Sequence, residues 1–178
     1  MSSPHQPVVV LSRALDQAGD ALAAVRAEDL DKPTPCHGWT VRELADHLAA
    51  APEHFLAMAR GEEVDWRAGT GVEPTGLTAH FRAYADDLIH HWHGQPDEQV
   101  AQADWQSAEL GVHTWDLLRA TGRPVPLDDE VAERGLAFIQ QGLTEENRGD
   151  AFGPAVPVPD DASAYERLVA FAGRDPRA

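Results

Sequence analysis

Apolar residues recur along this chain at intervals of three and four, the spacing of one helix face, and nowhere alternate as in a half-buried strand. Leu11, Leu15, Ala18, Leu22 and Val25 outline a first helix over about residues 7–27. A turn-rich connector, Asp31 to Trp39, follows. Thr40-Val-Arg-Glu43 then reads as a capping box, in which each side chain satisfies a backbone N–H that the first turn leaves free. It opens a second helix with Val41, Leu44, Leu48 and Phe55 on its apolar side and Gly61 at its end. Pro52 lies inside this helix and lacks a backbone donor, which predicts a kink or a split. Residues 61–74 show little periodicity and read as a loop, with composition leaving lid and disorder open. Leu77, Phe81, Leu88 and Trp92 predict a third helix over about 75–93, and a fourth spans about 98–121. Asp128 or Asp129 can cap a fifth helix that runs to about 143, with Val131, Leu136 and Ile139 inward. Residues 144–160 are extended and Pro-rich, and a short last helix covers about 161–173.

Four long helices with polar connections predict an all-α fold. The expected architecture is a four-helix bundle with two shorter C-terminal helices packed on it and an extended Pro-rich segment between them. The chain has 178 residues, enough for one domain with a sizeable core, and residues 1–178 are read as that domain. The net charge of −16 argues against nucleic acid and anionic membranes as partners, because both need a basic surface. No apolar run approaches the roughly 20 residues of a membrane span, and the polar Met1 to Pro7 lacks the layout of a signal peptide. A cytoplasmic protein is expected. The single cysteine, Cys36, excludes an internal disulfide and a multi-cysteine metal site. It precedes the second helix closely, where a thiol can gain reactivity from the helix N-terminus. The plainer expectation is a buried structural cysteine. Trp39, just before the cap, is expected to pack as a hydrophobic staple.

The candidate chemistry lies in Glu109 and His113, four residues apart on one helical face and about 6 Å apart along its axis. His47 sits in the second amphipathic helix and could close a three-ligand site. Two imidazoles and a carboxylate suit zinc, and three protein ligands leave a position for water or substrate. The alternative is an edge glutamate beside a satisfied core histidine. Asp116, three residues past His113, could accept its second ring N–H or pair with Arg119 or another arginine. His54 competes with His47 as a ligand. His90, His91 and His93 could hold a metal, but histidines near a helix C-terminus are also favoured by its dipole. No Gly-rich phosphate loop or Gly-x-Ser-x-Gly elbow is present.

Three stretches carry a resemblance. They are Thr-Pro-Cys-His-Gly-Trp-Thr-Val-Arg-Glu-Leu-Ala-Asp-His-Leu (34–48), Glu-Leu-Gly-Val-His-Thr-Trp-Asp-Leu-Leu-Arg-Ala-Thr-Gly (109–122) and Phe-Gly-Pro-Ala-Val-Pro-Val-Pro-Asp-Asp (152–161). Together they resemble actinobacterial proteins similar to the N-terminal domain of mycothiol-dependent maleylpyruvate isomerase, within the DinB-like superfamily of metal-binding four-helix bundles. The resemblance implies a divalent metal, usually zinc, on His47, Glu109 and His113. It also implies that the open metal position receives the thiol of mycothiol, activated for attack on an electrophilic carbon. Relatives typically lack a proline at position 52, and the histidines at 90–93 lie outside the shared pattern. The isomerase carries a further C-terminal domain that contributes to its active site, whereas residues after 143 here read only as the extended segment and one short helix.

The function expected is therefore zinc-dependent, mycothiol-using transfer or isomerisation on a small electrophile. A metal-activated hydrolase and a non-enzymatic metal- or ligand-binding module stay open. A polar groove would favour the thiol and a small closed cavity would favour the hydrolase. Exposed helix faces also leave a homodimer open.

Overall fold

The computed structural model describes residues 6–149 and 152–178, and among these the regular structure is helical, with one isolated β-bridge between Pro33 and Thr40. The principal helices are α1 (Gln6–Ala24), α2 (Val41–Ala59), α3 (Leu77–His93), α4 (Asp97–Val100), α5 (Ala103–Thr121), α6 (Asp129–Gly142) and α7 (Ala164–Phe171). Helices α1 and α2 each pack against both α3 and α5, so these four enclose a common interior. Leu11, Leu44, Leu48, Phe55, Phe81, Leu88, Leu110 and Leu117 fill it and are almost completely buried. Helix α6 covers α5 from another side, and α7 covers α6.

The predicted helices are present, with shifted ends. The capping box at α2 forms as read. The Thr40 N–H donates to Glu43 Oε2 at 2.8 Å, and Thr40 Oγ1 accepts from the Glu43 N–H. Pro52 does not split α2, which stays continuous around a buried proline flanked by buried Leu48, Phe55 and Leu56. Burial of these side chains outweighs the single hydrogen bond that proline removes. The expected helix 98–121 is interrupted instead at residues 101–102. There the Gln102 N–H donates to the Gln99 carbonyl and the Asp104 N–H to that of Ala101, tightening the chain to three-residue turns. One turn thus stands apart as α4. Ser163 caps α7 and forms a second capping box with Glu166, so this helix begins later than its apolar pattern suggested.

Tyr165 ties α7 to α1. Tyr165 hydroxyl accepts from Gln17 of α1, and Gln17 Oε1 accepts from the Asp128 N–H at 3.0 Å. The Pro-rich stretch lies against the end of α7, with the Val156 N–H donating to the Ala170 carbonyl. Gly173 makes this approach feasible. Its φ is +93°, and a Cβ there would lie 2.6 Å from the Gly153 nitrogen.

Candidate metal centre

Helices α2 and α5 are packed against each other, and α5 has buried residues on nearly all its faces. His47 reaches from α2 toward Glu109 and His113 of α5. Nε2 of His113 lies 3.0 Å from Glu109 Oε1, and Nε2 of His47 lies 3.6 Å from the same oxygen. The two imidazole rings meet edge to face, 4.9 Å between centroids. The i, i+4 spacing of Glu109 and His113 delivers the first contact, and helix packing delivers the second. Ligand atoms around a tetrahedral zinc stand about 3.4 Å apart, given bond lengths near 2.1 Å. The observed separations bracket that value, and the donor set of two imidazoles and one carboxylate fits the ion.

The electrostatics of this cluster are tight. Burial opposes the Glu109 charge, but His113 and His47 beside it more than offset this and hold its carboxyl well below the usual carboxylate range. Burial likewise opposes a charge on His113, yet Glu109 foremost, with Asp116 and Cys36, raises its pKa well above the ordinary imidazole value.

The three side chains open onto a cavity of about 760 Å³. Its walls include Trp39, Trp66 and Trp105, with Cys36 and Arg67 also facing it. The Trp39 ring lies 4.7 Å from that of His47 and 6.4 Å from that of His113, so this residue is part of the site as well as of the helix start. Trp66 comes from the loop at 61–74 and meets Trp105 at 5.9 Å and His54 at 5.6 Å. Asp46, next to His47 in sequence, holds the same loop. Its Oδ1 accepts from the Thr70 N–H at 3.1 Å and from the Thr70 hydroxyl at 2.6 Å. Gly69 passes so close that a Cβ would lie 1.8 Å from Asp46 Oδ2. The loop is docked as a cover over one side of the cavity.

The other candidates separate. His54 packs on Trp66 and joins no converging set of ligands among the described residues, and burial pushes its pKa down. His90, His91 and His93 occupy the last turn of α3 and likewise join none among the described residues. Cys36 is half-buried on the cavity wall rather than sealed in the core, and it forms a second converging set with His113 and Asp116. Asp116 is fully buried and pairs with an arginine, but the partner is Arg174, not Arg119. Trp105, four residues before Glu109, shares its helical face as the spacing indicates, whereas Trp66 and Arg174 escaped the sequence reading, since neither lies at helical spacing from the three candidate ligands. Only their residue types, aromatic or cationic, hinted at a role.

The sequence comparison decides the family. The description "mycothiol maleylpyruvate isomerase N-terminal domain" matches residues 11–121. The chain belongs to that family. The matched span contains His47, Glu109 and His113, while Arg174 lies beyond it. Two uncharacterised proteins of Mycobacterium tuberculosis, from strains CDC 1551 / Oshkosh and ATCC 25618 / H37Rv, are each 29% identical to it over 190 residues. Those alignments cover 96% of this chain and 99% of each relative. No solved structure matches the chain. None of its described helices is long and apolar enough to cross a membrane.

Proposed function

We propose that this protein is a DinB-like four-helix bundle that binds a divalent metal, zinc by preference, and uses a low-molecular-weight thiol in transfer or isomerisation on a small electrophile. The observation that carries this reading is the meeting of His47, Glu109 and His113 at the floor of a wide aromatic cavity. Membership of a family described by mycothiol supports the thiol as the cofactor.

A cation bound there would act as a Lewis acid, lowering the pKa of a thiol ligand so that it is ionised at neutral pH. His47 Nε2, His113 Nε2 and a Glu109 oxygen would hold the cation. Asp116 Oδ2, 3.4 Å from His113 Nδ1, is placed to take the proton on the far side of that ring. Trp39, Trp66 and Trp105 offer flat apolar faces that exclude water and pack on a ligand body, including the C–H faces of sugar rings. The ionised sulfur would form a C–S bond to an electrophilic carbon of the substrate within the cavity, the displaced electron pair passing to the substrate's electron-withdrawing or leaving group, which takes up the proton that the thiol gave up.

A metal-activated hydrolase would use the same ligands. The breadth of the cavity favours the thiol reading over it, since activating water needs no such room. The aromatic walls differ from the polar groove expected for a pseudo-disaccharide thiol, and they point to stacking rather than hydrogen bonding as the main means of holding it. The test is metal content by mass spectrometry on untagged protein, followed by assays of thiol addition to electrophiles. About one equivalent of zinc and turnover that needs both metal and thiol are expected. Turnover that persists without the thiol would sink this reading in favour of the hydrolase.

A further inference from the structure

His113 poses a problem that its metal-facing side does not solve. Its Nε2 points to Glu109, so in the metal-holding tautomer the proton sits on Nδ1. The His113 ring is about nine-tenths buried, and Nδ1 has no partner in good hydrogen-bond geometry. The nearest carboxylate oxygen is Asp116 Oδ2, at 3.4 Å. Asp116 is wholly buried, and its orientation is set from the other end of the chain. Arg174 Nε lies 3.2 Å from Oδ1 and 3.3 Å from Oδ2, and Arg174 Nη2 lies 3.0 Å from Oδ2. Arg174 is itself 5% exposed, and its Nη1 donates to the Ala172 carbonyl at 2.8 Å, which fixes the guanidinium.

We infer that Arg174 is a positioning residue for the metal centre: it holds Asp116 in the rotamer that faces His113 Nδ1, and so makes metal affinity depend on docking of the C-terminal segment. This inference rests on the metal-binding reading above. Two features distinguish the contact from ordinary packing. The planar guanidinium engages both carboxylate oxygens and leaves one directed at the ring, a geometry that lysine reproduces only in part. The segment is also secured elsewhere, by Arg148 donating to the Phe171 and Gly153 carbonyls and stacking on Phe171. The Arg174 contact is therefore not its sole anchor. The consequence is that residues 164–174, outside the span matched to the family, complete the support of a site built wholly within that span.

Zinc affinity, measured by competition with a chromophoric chelator, tests this without any assay of turnover. The proteins are wild type, Arg174→Gln, Arg174→Lys, Arg148→Ala, Asp116→Asn and the Asp116→Asn/Arg174→Gln double variant. Substitutions behind a metal ligand cost about 10–100-fold in affinity, so Arg174→Gln should weaken zinc by about tenfold. Arg174→Lys should recover part of that loss. The double variant should be no weaker than Asp116→Asn, because both changes break one relay. Arg148→Ala loosens the same segment away from Asp116 and should leave affinity within about twofold. Unchanged affinity in Arg174→Gln overturns the inference, as does an equal loss in Arg148→Ala or additive losses in the double variant. A wild type that takes up no divalent metal removes the underlying reading instead, so the two failures can be told apart.

Discussion

Asp29 and Glu109 each gather a cluster of charged and titratable groups, and the two clusters are balanced differently. Asp29, sealed from solvent, is met by Lys32 Nζ at 2.7 Å, by Arg123 Nη2 at 2.7 Å and by the Arg26 N–H at 3.0 Å. Its charge is answered by two permanent cations, and those contacts hold its pKa far below the usual carboxylate range. The cluster joins the α1–α2 connector to Arg123, two residues past α5, and seals the Asp29 carboxylate from solvent. Glu109 is contacted by two histidines, whose charge is conditional, and it faces a cavity. A carboxylate balanced by fixed cations is a fastener. One balanced by groups that can exchange a proton for a cation has the make-up of a site.

The sharpest way to break that comparison is to remove each partner set in turn. Glu109→Ala or His47→Ala should cost more than about 100-fold in zinc affinity, beyond what substitutions behind a ligand cost. Leu110→Ala, in the same turn of α5, should cost about 2–5 kcal/mol of stability by emptying a core position yet keep zinc stoichiometry. Metal analysis beside chemical denaturation separates the two. If Leu110→Ala lost metal as fully as Glu109→Ala, the centre would be no more than a reflection of packing.

Asp29→Asn should show the reverse pattern, with a clearly lower unfolding midpoint and unchanged metal content, read by thermal denaturation and the same metal analysis.

The response to pH differs in sign. The Asp29 carboxyl has a depressed folded pKa, so its contribution is present above the unfolded value near 4 and is lost as pH falls through the lower folded value. His113 has a raised folded pKa, so in metal-free protein its contribution is complete below the unfolded value near 6.5 and is lost as pH rises through the folded value. Stability of the metal-free protein should therefore decline on the alkaline side, and His113→Gln should remove that limb while leaving the acid limb. A metal-free alkaline limb unchanged in His113→Gln would show that another group sets it.

A smaller effect is expected at the cover. Gly69→Ala places a methyl against Asp46 and should release the loop, seen as a shift in tryptophan emission and faster proteolysis between residues 61 and 74. Metal content should not change, because Asp46 is not a ligand.

Much of this was legible in the chain. The capping box at Thr40, the i, i+4 pair at 109 and 113 and the recurrent leucines act over one or two turns, and local geometry suffices to read them. Less local features were not legible. Pro52 reads as a break because propensity is weighed without the burial that overrides it. The break at 101–102 carries no proline or glycine to announce it. Asp116 has an arginine three residues away in sequence, and yet Arg174, 58 positions on, is the one that reaches it.

By itself the sequence determined helix identity, approximate helix limits and the pairing of Glu109 with His113, because hydrogen bonding and side-chain direction along a helix repeat every turn. Tertiary structure alone decided that His47 and not His54 completes the cluster, that three distant tryptophans form one cavity wall, and that Arg174 of the C-terminal segment reaches Asp116 of α5. Those outcomes depend on how helix faces rotate and slide against one another, which side-chain packing sets and sequence spacing does not encode.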